Sequence, residues 1–283
     1  ALELEGMITR NSNVLIIGAG LIGLKCAEGL HGNVGSITVC DLAPHVLSSI
    51  LEEETAVLVE DHLRKSGIEL LLADTAARFE DGRAFMKSGK EVEFDVLVTA
   101  VGVRANSALV ANAGGTVNRG IVVDTHMKTD LADVYAAGDC AEGFDLSLGD
   151  RRVLALFGNA YRQGFTAGVN MAGGDEAFEN AIPMNSMGLL GLHIMTAGTY
   201  VKEEDGGEVH VEKDGRRVKK FFVKDGLLKG YIFINQPDRG GIYTALIREQ
   251  TPLESVDFDL LKQDASFMAF SVEKRRKMFG GAV

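Results

Sequence analysis

The run Val14-Leu-Ile-Ile-Gly18-Ala-Gly20-Leu-Ile-Gly23 constrains this chain more than any other stretch. An apolar segment feeds a GxGxxG turn, and Leu24, Ala27 and Leu30 follow at helical spacing. Each glycine has a separate physical reason. Gly18 allows a tight turn, Gly20 lets a pyrophosphate approach the backbone, and Gly23 lets the helix pack close to the strand. Ala19, Leu21 and Ile22 complete the candidate loop, and the helix start offers free N–H groups and a positive dipole end to phosphate. A second apolar strand, Ile37-Thr-Val-Cys40, ends in Asp41, about 20 residues on, where an adenine ribose needs an acceptor for its 2′ hydroxyl. The run reads as a dinucleotide site in a βαβ unit. Asp41 would repel a 2′ phosphate, and Leu42-Ala-Pro-His-Val46 carries no arginine to offset it, so NAD is expected over NADP. A solvated strand-end role is the plainer alternative for Asp41.

The 283 residues suffice for about two domains with their own cores, and a hydrophobic content of 46% is that of a globular protein. A net charge of −11 argues against nucleic acid or an anionic membrane as partner. The one basic cluster, Lys274-Arg-Arg-Lys277, reads as the solvated face of a terminal helix. Cys26, Cys40 and Cys140 are far apart in sequence, which implies neither a disulfide framework nor a metal cluster and suits a reducing cytoplasm. No apolar run reaches the length of a membrane span, and no signal-peptide pattern opens the chain.

After a polar lead-in (Leu2 to Asn13) and the first βαβ, residues His45 to Ser66 predict one long amphipathic helix. Ile68 to Leu72 is a third parallel strand, and Asp81-Gly82 and Ser88-Gly89 mark an antiparallel meander through Val92. Val96 to Val101 reads as a strand buried on both faces. A second unit from Asn106 holds strands at Ile121–Val123 and Val134–Asp139 and a helix from Leu156 to Met171. Three strands then run Glu208–Glu212, Arg216–Val223 and Leu227–Ile234, and helices start near Gly241 and Phe258. The expected division is residues 1–105, 106–182 and 183–283. Phe221, Val223, Tyr231, Phe233 and Ile242 are too many large apolar groups for a small sheet left uncovered, which predicts self-association through this region.

GAGLIG (18–23), TAVGVRAN (99–106), GIVVDTHMKTDLADVYAAGDCAE (120–142) and YRQGFTAGVNMAGG (161–174) occur in that order. Together they resemble the pyridine nucleotide–disulfide oxidoreductase family, closest to its NADH oxidase, NADH:rubredoxin reductase and nitrite reductase flavin-module branch. The resemblance implies an α/β fold: a Rossmann-like NAD-binding domain with the meander, part of a split FAD-binding domain, and a C-terminal α+β interface domain. It also implies electron transfer from NADH through FAD to an acceptor such as rubredoxin, oxygen or nitrite. Gly102 matches the glycine that admits NAD's phosphates and ribose. Gly138-Asp139 match the second FAD motif, where the carboxylate meets a ribityl hydroxyl, although Asp139 also suits a helix N-cap.

Three departures limit the match. Lys25 stands where the family usually has glutamate, and it is either a surface lysine or a change in nicotinamide positioning. No CxxxxC or CxxC supplies a redox disulfide, so Cys140 reads as a packed residue and no side chain is required as acid or base. The family's first GxGxxG, for the ADP half of FAD, is missing. With a start at Ala1, this suggests a polypeptide cut from a longer one, its FAD-binding N-terminal part lost, proteolysed or supplied by another chain. The alternative is a non-catalytic NAD-binding subunit of a larger redox complex. A flavin-free dehydrogenase is disfavoured, because neither a Ser/Tyr–Lys nor a His–Asp pair stands out.

Overall fold

The computed structural model describes residues 6–236 and 239–278. Leu2 to Glu5 of the polar lead-in, the Lys277 side chain and Phe279 therefore fall outside the described residues, while Thr9 to Ser12 form a turn. The chain divides into two compact units, residues 1–103 with 187–193, and residues 104–186 with 194–283.

In the first unit, β1 (Asn13–Ile17) leads into α1 (Leu21–Leu30), and β2 (Ser36–Asp41) leads into α2 (Glu53–Lys65). β3 (Ile68–Leu72), the meander β4 (Ala76–Glu80), β5 (Arg83–Met86) and β6 (Glu91–Glu93), and β7 (Val96–Thr99) follow. The parallel sheet has the order β3-β2-β1-β7, and the meander is a separate antiparallel sheet. Strand β1 is central because Leu15 and Ile16 are fully buried, and α1 covers the sheet with Gly23, Leu24, Ala27 and Leu30.

The helix expected from His45 begins at Glu53, because Leu47 takes a left-handed φ of 53° and the Glu52 carboxylate caps the helix by accepting from the N–H groups of Glu54 and Thr55. Val46, Leu47, Ile50 and Leu51 are still buried, so the apolar pattern marked core and not helix. The strand expected through Val101 ends at Thr99. As the edge of the sheet it pairs only with β1, and its burial is partial.

The second unit opens with α3 (Ala108–Asn112), then β8 (Ile121–Val122), β9 (Ala141–Asp145), β10 (Asp150–Val153) and α4 (Phe157–Met171). The hairpin β9–β10 was not expected, and Val134–Asp139 is no strand: Tyr135 makes one isolated bridge and Gly138–Cys140 form a 3₁₀ turn. Beyond Pro183 come β11 (Met184–Leu189) and β12 (Leu192–Gly198), whose residues 187–193 group with the first unit, then β13 (Glu208–Asp214), β14 (Arg217–Lys224), β15 (Leu227–Ile234), α5 (Gly240–Arg248), α6 (Phe258–Gln263) and α7 (Val272–Met278). The five strands lie in the order β11-β12-β15-β14-β13, with Asp214-Gly215 and Asp225-Gly226 turning the expected hairpins.

The apolar residues that suggested self-association are instead the core of this sheet. Phe221 and Phe233 have no exposed surface, and Val223, Tyr231 and Ile242 are buried. Phe221, Phe233 and Tyr243 pack edge-on or tilted, with ring centroids 5.2–5.3 Å apart. Tyr243 donates from its hydroxyl to the carbonyl of Leu261 at 2.6 Å, which locks α5 to α6. Lys219 is buried because its ammonium donates to the carbonyls of Lys262 and Gln263, the negative end of α6.

Helix α4 is turned inside out. Asn159, Gln163, Thr166 and Asn170 face the interior, whereas Phe157, Tyr161, Phe165 and Met171 face outward, Phe157 being 93% exposed. Backbone partners for the interior amides make this arrangement possible, although Asn159 Oδ1 and Thr166 Oγ1 are buried with no partner among the described residues. Asn159 donates to Ile182, and Asn170 donates to His126 and Glu176 while accepting from the N–H of Glu176.

Candidate functional site

The turn between β1 and α1 is built by two close approaches. Gly18 has a φ of +110°, and a Cβ there would lie 2.2 Å from the carbonyl oxygen of Ala100. A Cβ on Gly23 would lie 1.9 Å from the carbonyl oxygen of Gly18, so only glycine lets α1 start this near the sheet. Gly20 differs: nothing stands within 4 Å of where its Cβ would be, and it caps α1 without a side chain. The first turn of α1 contains no acid, which leaves its N–H groups and dipole open to an anion.

A cleft of about 430 Å³ lies here, within the size range of small-molecule sites. Gly18, Gly20, Leu21, Ile22, Asp41 and Gly102 line it, which brings together six of the residues expected from the sequence. Ala19 and Gly23 are not among its lining residues. The N–H of buried Ala19 donates to Asp41 Oδ2 at 2.6 Å, and the N–H of Ala43 donates to Asp41 Oδ1 at 2.8 Å. Asp41 therefore stiffens the turn and still has lone pairs for a hydroxyl. Leu42, Ser49, Thr75, Ala100 and Val101 also line the cleft. Sequence reasoning missed Ser49 and Thr75, since neither carries a motif and only the fold returns them to Asp41.

Lys25 turns away from nucleotide chemistry. Its ammonium pairs with the Glu28 carboxylate and donates to the carbonyl of Gly188 at 3.1 Å. Glu28 accepts from the N–H of Leu190 at 2.6 Å, and His62 Nε2 lies 2.9 Å from the Leu190 carbonyl oxygen. The Lys25 ammonium holds the Glu28 carboxyl below its ordinary range, as does the Leu190 N–H. Three side chains of α1 and α2 thus grip residues 188–190 within the first unit.

Gly138 and Asp139 lie in the second unit. Gly138 has a φ of +81°, and its N–H donates to the buried Gln163 Oε1 of α4 at 2.8 Å, so the polar face of α4 sets this turn. The Asp139 side chain is exposed and makes no hydrogen bond with the described residues, nor does it cap a helix. An open carboxylate beside a left-handed glycine suits a polyol hydroxyl.

The cysteines are all free. Burial raises the Cys40 thiol to about 11, helped by the negative charges of Asp41 and Asp74, and burial raises Cys26 as well. At neutral pH Cys40 stays a thiol. Iodoacetamide followed by peptide mass analysis should leave Cys40 unmodified in the native protein and label it in urea. Native labelling as fast as in urea would contradict this placement.

A glycine-rich strand–turn–helix with a carboxylate at the next strand end defines a dinucleotide-binding α/β protein. Comparison with known proteins takes this further. The family model for pyridine nucleotide-disulphide oxidoreductase matches residues 2–164, and the chain belongs to that family. It is 31% identical to the NADH-dependent phenylglyoxylate dehydrogenase subunit epsilon of Aromatoleum evansii over 89% of this chain and 62% of that protein. It is 36% identical to an NADH oxidase of Methanocaldococcus jannaschii over 58% of this chain and 38% of the relative. An NAD-dependent persulfide reductase from A. fulgidus superposes with a TM-score of 0.79 at 26% identity, covering 87% of this chain and 50% of that one. The chain spans about two fifths to three fifths of the curated relatives just named. At least one relative is a subunit of a larger system. Among the described residues no helix is long and apolar enough to cross a membrane, and no group of His, Cys, Asp and Glu could hold a metal.

Proposed function

We propose that this chain is the NADH-binding portion of an FAD-dependent oxidoreductase that passes electrons from NADH through flavin to an acceptor such as rubredoxin, oxygen or nitrite. The observation that carries the proposal is the cleft: an uncapped, acid-free helix start, open space over Gly20, and Asp41 across from it. The α1 N–H groups would hold the pyrophosphate, Asp41 would accept from the adenine ribose, and Gly102 would admit the rest of the dinucleotide. Asp139 would hold a flavin hydroxyl, with Gln163 fixing the turn through Gly138. When bound, nicotinamide and flavin supply the hydride chemistry themselves. The chain binds and orients them, with no side chain acting as acid or base.

The exposed aromatic face of α4 supports a companion: an N-terminal FAD-binding segment or polypeptide that carries the missing phosphate turn and covers Phe157, Tyr161 and Phe165. The division into residues 1–105, 106–182 and 183–283 belongs to this proposal, as do a cytoplasmic location, a small electron-transfer protein as partner and a homo-oligomer. Because Phe221, Val223, Tyr231, Phe233 and Ile242 are buried within the chain, a homo-oligomer would use other surfaces of the region after Pro183. A second reading, a non-catalytic NAD-binding subunit, draws support from the subunit named among the relatives.

Flavin content separates the two. Native material should carry a companion polypeptide and flavin, on the order of one per chain, that bleaches on NADH addition. NADH binding without any flavin favours the subunit reading. The wild type should prefer NADH over NADPH, and Asp41→Ala should narrow that preference by about one to two orders of magnitude, about 1.4 kcal/mol per tenfold, in a fluorescence titration. Equal affinity of the wild type for both cofactors refutes the role given to Asp41.

A further inference from the structure

The second unit contains a larger cavity that the nucleotide reading does not use. Met184, Asn185, Met195, Tyr231, Thr244 and Arg248 are among its walls, and its volume is about 570 Å³. Arg248 is the one cation among the described lining residues. Its Nη2 meets only the Met184 sulfur, at 3.7 Å, and its Nε is buried with no acceptor among the described residues. It forms no ion pair with any described residue. The charge felt most strongly is a like one, from Arg162. Burial and Arg162 together hold the Arg248 guanidinium below its usual range. Glu176, the acid nearest Arg162, stands 3.8 Å from it. Glu249 also lines the cavity, but its carboxylate lies 3.3 Å from Lys274 Nζ.

A guanidinium that is half-buried beside a second arginine, with a donor left over, calls for a planar oxyanion. The other walls suit an apolar body. Met184 and Met195 offer soft, adaptable surface, and the Tyr231 hydroxyl is already engaged with Thr244 Oγ1 at 3.0 Å. We propose that this cavity binds a small organic carboxylate, with its carboxylate on Arg248 and its apolar portion between Met184 and Met195. The site stands independently of the NADH cleft. An acidic side chain of another polypeptide has the same chemistry, and the test separates the two sources.

The probe is 4-fluorobenzoate, followed by fluorine NMR on the protein as isolated, with 4-fluorobenzyl alcohol as the uncharged control. The carboxylate should bind saturably and the alcohol should not, and excess NADH should fail to displace it. Arg248→Gln should weaken binding at least about tenfold and Arg248→Lys by less, because lysine keeps the charge and loses the fork. Should Arg248→Gln fail to fold, Met195→Trp fills the cavity and should exclude the probe while Arg248 is retained. Absence of saturable binding, displacement by NADH, or unchanged affinity in a folded Arg248→Gln protein would overturn the proposal. Binding that appears only after a companion polypeptide is removed would assign the carboxylate to that polypeptide and likewise overturn it.

Discussion

Gly23→Ala is expected to abolish measurable NADH binding, with affinity falling by at least about a hundredfold, or about 2.7 kcal/mol. The cause is a methyl group placed 1.9 Å from the Gly18 carbonyl oxygen, well inside contact distance. Either α1 withdraws from the sheet or the turn opens, and both displace the N–H groups that face the cleft. Helix propensity alone favours alanine, so the control is Gly29→Ala. Gly29 lies on the exposed face of the same helix with nothing within 4 Å, and that change should stabilise by up to about 1 kcal/mol and leave binding intact. Titration calorimetry on both variants checks the pair. Wild-type affinity in Gly23→Ala would refute the close approach.

The second large effect is on stability. Phe221→Ala should destabilise the second unit by about 3–5 kcal/mol, because the ring is wholly buried among Phe233, Tyr243 and Phe258 and leaves a cavity that rigid neighbours cannot fill. The chain has no tryptophan, so circular dichroism against urea is the readout, joined by hydrogen exchange. Exchange should quicken across Val218–Ile234 far more than across Asn13–Cys40. A loss below about 1 kcal/mol would mean that the core is not packed as described.

Where local chemistry and long-range packing agreed, the chain was readable. The β1 turn was legible because each glycine answers a separate steric demand, and the meander and C-terminal hairpins because Asp-Gly turns leave few alternatives. The failures have one physical source: apolar residues mark burial without naming the element that buries them. Val46, Leu47, Ile50 and Leu51 are core residues of an irregular segment that mimicked helical spacing. Val96 to Val101 looked doubly buried because hydrophobicity cannot distinguish an edge strand from a central one. Strand β9 escaped because its Glu142 and Asp145 are buried charges; Glu142 accepts from the N–H of Gly120, and Asp145 pairs with Arg152 at 2.6 Å. Cleft residues Ser49 and Thr75 are brought to Asp41 by the fold alone, so no sequence pattern could single them out.

The grip of Lys25, Glu28 and His62 on residues 188–190 bears on how this gene can be cut. A piece of DNA ending after codon 105 would encode every strand of the parallel sheet, yet it would drop the loop that these three side chains hold. The product would display a lysine, a glutamate and a histidine stripped of their backbone partners. A short peptide copied from residues 184–198 and added in trans would be the natural complement, as a missing keystone is to an arch.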